Sequence, residues 1–238
     1  MSHEEATEPE LRDLLNGLAM VLTVIAATLL RARRLGGSNF WYDEVVTMRL
    51  AETPTIGELL KLLFQIDATR APLHPLILQD WLVVFGNSET AGRSLSVVLG
   101  VATVVLLYFL GRLAFDEATG RWGAFLSAFS PLMVYYSREA RMYALLVLIS
   151  SLSWVMLFWN RRSPSRWKTI GYAACLVVML FTHPLGLLML GTLGLASALD
   201  VRGFLGAWKP WFAVHLGVLI VAAPWLRFYF DHAPEFLS

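Results

Sequence analysis

Cysteine is almost missing from this chain. Cys175 is the only one among 238 residues, which excludes an internal disulfide and any cysteine-based zinc site. Charge is scarce as well. Asp, Glu, Lys and Arg make up 16% of the sequence, against about 25% in a soluble domain. A formal net charge of +1 leaves no electrostatic case for a nucleic-acid partner. Residues 1–10 are acidic and polar and lack the basic stretch of a cleaved signal peptide, so the first apolar segment is expected to stay as an anchor. The short alternating strands of a transmembrane barrel are missing too.

Apolar residues take the place of what is scarce. They form 57% of the chain, above the roughly 45–50% of soluble domains. They fall in blocks of about 15–20 residues, the length a helix needs to cross about 30 Å of hydrocarbon. Lipid gives the backbone no hydrogen-bond partners, so such blocks must be helices. The fold class expected is all-α, a polytopic transmembrane bundle of about seven spans at 14–30, 95–115, 122–136, 142–159, 170–181, 185–199 and 211–229. On this reading 1–238 is a single transmembrane module. A cytoplasmic tail covers 1–13, a long extracytoplasmic loop 31–94, and spans two to seven lie within 95–230.

The 31–94 loop is far longer than ordinary connections, which marks it as functional. Thr55 and Glu58 have the T-x-x-E spacing of a capping box ahead of Leu59, Leu60, Leu62 and Leu63, predicting a short amphipathic helix at the interface. A second is predicted from Pro75 to near Gly86, with proline at the first helical position and glycine past the end. It is too short to span, so two juxtamembrane amphipathic helices are expected in this loop.

Loop charge then sets the orientation. One side receives Arg112 and Arg121, then Arg161, Arg162, Arg166 and Lys168, then Arg202 and Lys209. That side is expected to be cytoplasmic. Arg31, Arg33 and Arg34 stand against this assignment, and read first as a cluster binding lipid headgroups.

With that topology the unusual polar residues gather on one face. They are Asp43 and Glu44 after Phe40-Trp41-Tyr42, His74 in Pro72-Leu73-His74-Pro75, the run Ser137-Arg138-Glu139-Ala140-Arg141 beside Tyr135, Tyr136 and Tyr143, and Thr182-His183-Pro184. Carboxylates, arginines, a histidine and tyrosines at a membrane surface suit the holding of an anionic phosphate-bearing lipid. A carboxylate among them can remove a proton from an incoming nucleophile.

In the same order and spacing, these segments and Ser88-Glu89-Thr90-Ala91-Gly92-Arg93 resemble a known group. It is the bacterial branch of the protein O-mannosyltransferase and aminoarabinose transferase family, of the glycosyltransferase family 39 type within the GT-C membrane glycosyltransferases. The resemblance implies an inverting transferase, moving a sugar from a polyprenyl-phosphate donor to an acceptor hydroxyl on the extracytoplasmic face of a bacterial inner membrane. Asp43 would be the catalytic base, and Glu44 would orient it or bind acceptor. His74, Arg138, Glu139, Arg141 and Tyr143 would hold the lipid phosphate, with Tyr136 and His183 as further candidates of unassigned role. A histidine at 74 stands where aminoarabinose transferases have lysine, leaving a weaker, pH-dependent cation or a metal ligand. The acceptor would be a lipid, glycan or protein. No cofactor or metal is required, although a divalent cation fits the class. Family members continue past a seventh span, which implies a C-terminal module or a partner subunit.

Plainer roles stand beside these. Asp43 and Glu44 also read as surface acids beyond an aromatic belt, the tyrosines as that belt, and Arg138 to Arg141 as a solvated connector. His183 reads as an interhelical bond beside a proline, and Asp231 with His232 as tail. An accessory subunit that binds lipid-linked sugar without turnover is the alternative function. A lipid flippase comes third, because transport sites lie near the bilayer midplane.

Overall fold

A computed structural model describes residues 4–66, 71–199 and 201–232. All the regular structure among them is helical: α1 (Glu4–Ala32), α2 (Tyr42–Ala51), α3 (Ile56–Ile66), α4 (Leu73–Phe85), α5 (Glu89–Ala114), α6 (Glu117–Phe129), α7 (Pro131–Tyr136), α8 (Tyr143–Arg162), α9 (Arg166–Thr182), α10 (Gly186–Leu199) and α11 (Val201–His232).

Four of the described helices are long and apolar enough to cross a membrane: Glu10–Ala32, Glu89–Ala114, Tyr143–Arg162 and Trp211–Asp231. The protein is an integral membrane protein. The expected seven spans reduce to these four on length and apolarity, and the reason is local. The 122–136 block is broken at Ser130, where Pro131 has no N–H to continue α6 and instead opens α7. α9 has 17 residues and α10 has 14, about 25 and 21 Å at 1.5 Å per residue, both short of the hydrocarbon thickness.

The first long loop also differs from expectation, with three helices instead of two. Asp43 and Glu44 lie in the first turn of α2, a helix that the pattern of the Phe40 to Glu44 segment does not announce. The two expected helices are present. The Thr55 hydroxyl accepts the Glu58 N–H at 3.2 Å at the head of α3, and α4 ends at Gly86, whose φ of 81° suits glycine. At the termini, α1 begins at Glu4 inside the expected tail. Arg202, Lys209 and Pro210, expected in a loop, lie within α11. Asp231 closes α11 beside Arg227, the His232 side chain lies outside the described residues, and so does the tail from 233.

α5 is the central column, flanked by α1, α6 and α8. α9 joins α8 to α11, and α10 packs on α8, α9 and α11. Small residues allow the tightest crossing: a Cβ on Gly111 of α5 would come 2.7 Å from the Gly120 Cα of α6, the close backbone approach that membrane helix pairs favour. Leu176, Met179, Leu180 and Leu193 fill the core of α8 to α11. α2 and α4 pack on α5 through Met48, Leu78, Leu82 and Leu95. α2 and α3 cap the end of α11, where Leu50 and Leu63 meet Trp225.

Arg31 is fully buried. Its guanidinium donates to the carbonyls of Ala27, Ser127 and Ala128 at 3.2, 3.0 and 2.9 Å, and to the Ser137 hydroxyl at 3.3 Å. The break at Pro131 orphans the Ser127 and Ala128 carbonyls at the negative end of α6, and a cation placed there satisfies both. Arg31 therefore staples α1 to the α6–α7 break and does not bind headgroups. A buried carbonyl left unpaired costs about 1–3 kcal/mol. Arg31→Met is expected to lower the detergent-solubilised melting temperature clearly, while Arg33→Met, at an exposed position, is expected to change stability by about 0.5 kcal/mol or less. Equal shifts for the two variants would remove the staple.

Candidate active site

Beneath the candidate site lies a saturated ion pair. Glu44 is fully buried. Arg93, from the first turns of α5, grips it with two parallel bonds, Nε to Oε1 at 2.9 Å and Nη2 to Oε2 at 2.7 Å. The Ala140 N–H donates to Oε1 at 2.8 Å and the Trp41 N–H to Oε2 at 3.3 Å. The last bond is the carboxylate half of a capping box at the start of α2. Burial alone raises a carboxyl, yet the bonds from Arg93, Ala140 and Trp41 outweigh it and hold Glu44 below its ordinary value. The remaining Arg93 donors bind the carbonyls of Leu35, Ser38 and Asn39 at 2.6, 2.9 and 3.1 Å. One arginine thus fixes the chain between α1 and α2, the start of α2, and the turn before α8.

That frame presents Asp43, one residue before Glu44. Its carboxylate is 26% exposed and faces Arg141 at 3.4 Å. Arg141, almost wholly buried, also donates to the Asp43 carbonyl and the Thr47 hydroxyl, both at 3.3 Å. Its guanidinium lies 5.7 Å from the centre of the Tyr143 ring, and its buried Nε has no acceptor among the described residues. His74, from the start of α4, borders the same small cavity with Thr47, Arg141 and Met142. Tyr143 continues into a run of rings, 4.7 Å from Tyr136 and 6.0 Å from His183. The Leu185 N–H donates to His183 Nδ1 at 3.0 Å, so that nitrogen carries no proton.

Arg138 and Glu139 turn the other way. With Arg34, Trp41 and Tyr135 they line a separate polar cleft of about 240 Å³, backed by Glu44 and Arg93. Arg138 donates to the Arg33 carbonyl at 2.8 Å. Burial pushes the Glu139 carboxyl above its ordinary value. The two arginines expected to share one phosphate therefore lie in different clefts, divided by the Glu44–Arg93 pair.

The geometry joins carboxylates, a histidine and arginines at one end of a helical membrane bundle, and the sequence comparison adds a lineage. Residues 69–228 match the family model of dolichyl-phosphate-mannose-protein mannosyltransferases, about two thirds of the chain. The chain belongs to this family. No curated protein matches it. The matched region of this mannosyltransferase-family protein contains His74, Arg93, Arg138 to Tyr143 and His183. Asp43 and Glu44 precede it and are tied to it by Arg93, Ala140 and Arg141.

Sequence reasoning gave Arg93 no role of its own and read Arg31 as a headgroup cation. Arg93 stands inside a quoted motif, and a lone cation at the mouth of an apolar helix, expensive there unless paired, was the available signal. Among the described residues no three His, Cys, Asp or Glu side chains gather as metal ligands.

Burial, reinforced by Arg141, pushes His74 down to about 3, so the imidazole is neutral at pH 7. The unfolded chain takes up this proton near pH 6.5 and the folded one does not, so stability falls as pH drops below that value. Between pH 7.5 and 5 the loss from His74 is expected to approach 2 kcal/mol. Melting curves of wild type and His74→Gln over this range test it: parallel curves would mean that His74 titrates normally.

Proposed function

We propose that this protein transfers a sugar from a polyprenyl-phosphate donor to an acceptor hydroxyl, with inversion at the anomeric carbon. Asp43 takes the proton of the acceptor hydroxyl as the oxygen–carbon bond forms. The bond from the anomeric carbon to the phosphate oxygen breaks, and polyprenyl phosphate leaves. Arg141 faces the charge that grows on that phosphate, where a fixed cation is most effective because the charge is greatest in the transition state. Glu44 and Arg93 position Asp43 without touching substrate. His74, neutral, offers a dipole and not a charge, and Tyr143, Tyr136 and His183 wall the site.

The carrying observation is the Asp43–Arg141 pair, a partly exposed carboxylate beside a buried guanidinium in a chain of a mannosyltransferase family. The orientation supports an extracytoplasmic site: Arg112, Arg161 and Arg162 stand at the far helix ends, and Arg31, buried, leaves the headgroup count on the site side. Transfer from polyprenyl-phosphate mannose by the purified chain, with Asp43→Asn alongside, is the test. Donor binding without transfer in the wild type would instead favour an accessory subunit.

A further inference from the structure

The acceptors that hold the Arg141 guanidinium, Asp43 and Thr47, both lie on α2, and each contact is 3.3 or 3.4 Å long. Bonds of that length hold a planar group loosely. Its third edge, the Nε–H, is buried and has no acceptor among the described residues. From the first turn of α4, His74 borders the same small cavity. It is 1% exposed, and its Nε2 is likewise buried without a partner among the described residues. The two nitrogens therefore do not reach each other. Buried polar groups in native proteins are seldom left in that condition. The cavity they share with Thr47, Ala71 and Met142 leaves about 10 Å³ for the centre of a water molecule, room for one water and nothing larger. A single water also matches the donor set. The Arg141 N–H donates, the bare ring nitrogen of a neutral imidazole accepts, and a water does both. Burial and the nearby guanidinium keep His74 in that neutral state.

We infer that one internal water occupies this cavity, accepting from the Arg141 Nε–H and donating to His74 Nε2, and that through it His74 is a positioning residue for Arg141. The water site stands on the geometry alone, and its effect on transfer rests on the transferase reading above. The Thr47 hydroxyl, which also lines the cavity, accepts the second hydrogen and gives the water the three partners usual for a buried one. With the water bound, the guanidinium is held from two helices, by Asp43 and Thr47 of α2 and by His74 of α4. Its outer edge, beside Asp43, is then fixed in direction. That matters for a cation facing a leaving phosphate, because a preorganised charge needs no reorganisation as the opposite charge grows. A lysine at this position could not serve, since an ammonium has no acceptor and would repel Arg141. The useful property of His74 is its lone pair, and it acts without touching substrate.

NMR and kinetics on the full chain in detergent test this together. With isotope-labelled arginine, the Arg141 Nε–H signal is identified by its loss in Arg141→Lys. In the wild type it is expected to show cross-relaxation with a long-lived water. His74→Gln keeps an acceptor near the Nε2 position and is expected to keep that contact, whereas His74→Leu and His74→Asn are expected to lose it. Transfer from polyprenyl-phosphate mannose is the second readout. The Leu and Asn variants are expected to lose roughly tenfold or more in kcat, with the donor KM changed by less than about threefold, since misplacement of about 1 Å can cost about 100-fold. His74→Gln is expected to recover most of that loss. Asparagine is polar and smaller than histidine, so His74→Asn keeps the test open if His74→Leu does not fold. Four results would overturn the inference: no water contact at Arg141 Nε in the wild type, a contact that survives in both the Leu and Asn variants, equal kcat losses in the Gln and Leu variants, or a loss carried by the donor KM, which would put His74 on the donor itself. Absence of transfer by the wild type would remove the transferase reading, and the NMR contact would still decide the water site.

Discussion

Asp43→Asn is expected to lower transfer by roughly 10²–10⁴-fold, the usual contribution of a general base, while leaving the protein folded. The second half follows from how Asp43 is held. The Thr47 hydroxyl and one Arg141 nitrogen bond its backbone carbonyl, which asparagine keeps. The side-chain contact to Arg141 is 3.4 Å long and its carboxylate is 26% exposed; the asparagine amide oxygen still accepts from the guanidinium, so the loss is expected to stay at roughly 1–3 kcal/mol. Donor binding is therefore expected to change only a few-fold. A collapse of rate without a collapse of stability separates a base from a surface acid. Asp43→Glu is informative beside it. The carboxylate is retained but displaced by one methylene, and misplacement of about 1 Å can cost about 100-fold. Full activity in both variants would transfer the base role elsewhere.

Arg93→Ala is expected to be the most destabilising single change at this end of the bundle. It leaves the buried Glu44 carboxylate with only the Trp41 and Ala140 N–H groups, and it strips the Leu35, Ser38 and Asn39 carbonyls of a shared donor. Breaking a buried pair by removing one partner costs about 3–5 kcal/mol. Chemical unfolding in mixed micelles measures the loss. Combining Arg93→Ala with Glu44→Gln removes the stranded charge, so the double variant is expected to be clearly less damaged than the sum of its single changes. Strict additivity, or a loss below about 1 kcal/mol, would mean that the pair does not hold α2. Transfer is also expected to fail in Arg93→Ala, because α2 carries Asp43.

Much of this was legible in the chain because it depends on neighbours three or four residues apart. Apolar block length indicated the lipid solvent and the all-α class, although the seven spans it suggested fall to four helices long and apolar enough to cross. Thr55 and Gly86 marked the ends of α3 and α4, and the polar residues left at helix ends named the candidate site. Even Pro131 stands in plain view, although the apolar content of 122–136 reads as one block until the break at Ser130 divides it.

Only the tertiary structure decided what those polar residues face. Arg31 sits in a basic cluster that reads as headgroup-binding, yet its partners lie as far as 106 positions away. Glu44 looks like a twin of Asp43, but Arg93, 49 positions on, turns it into a fixed support and leaves Asp43 as the accessible acid. Arg138 and Arg141 read as one phosphate clamp, and the turn between α7 and α8 sends them into separate clefts. Local pattern sets helix ends because backbone bonding is local. The direction and partner of a charged side chain are set by desolvation, which depends on which helices pack together.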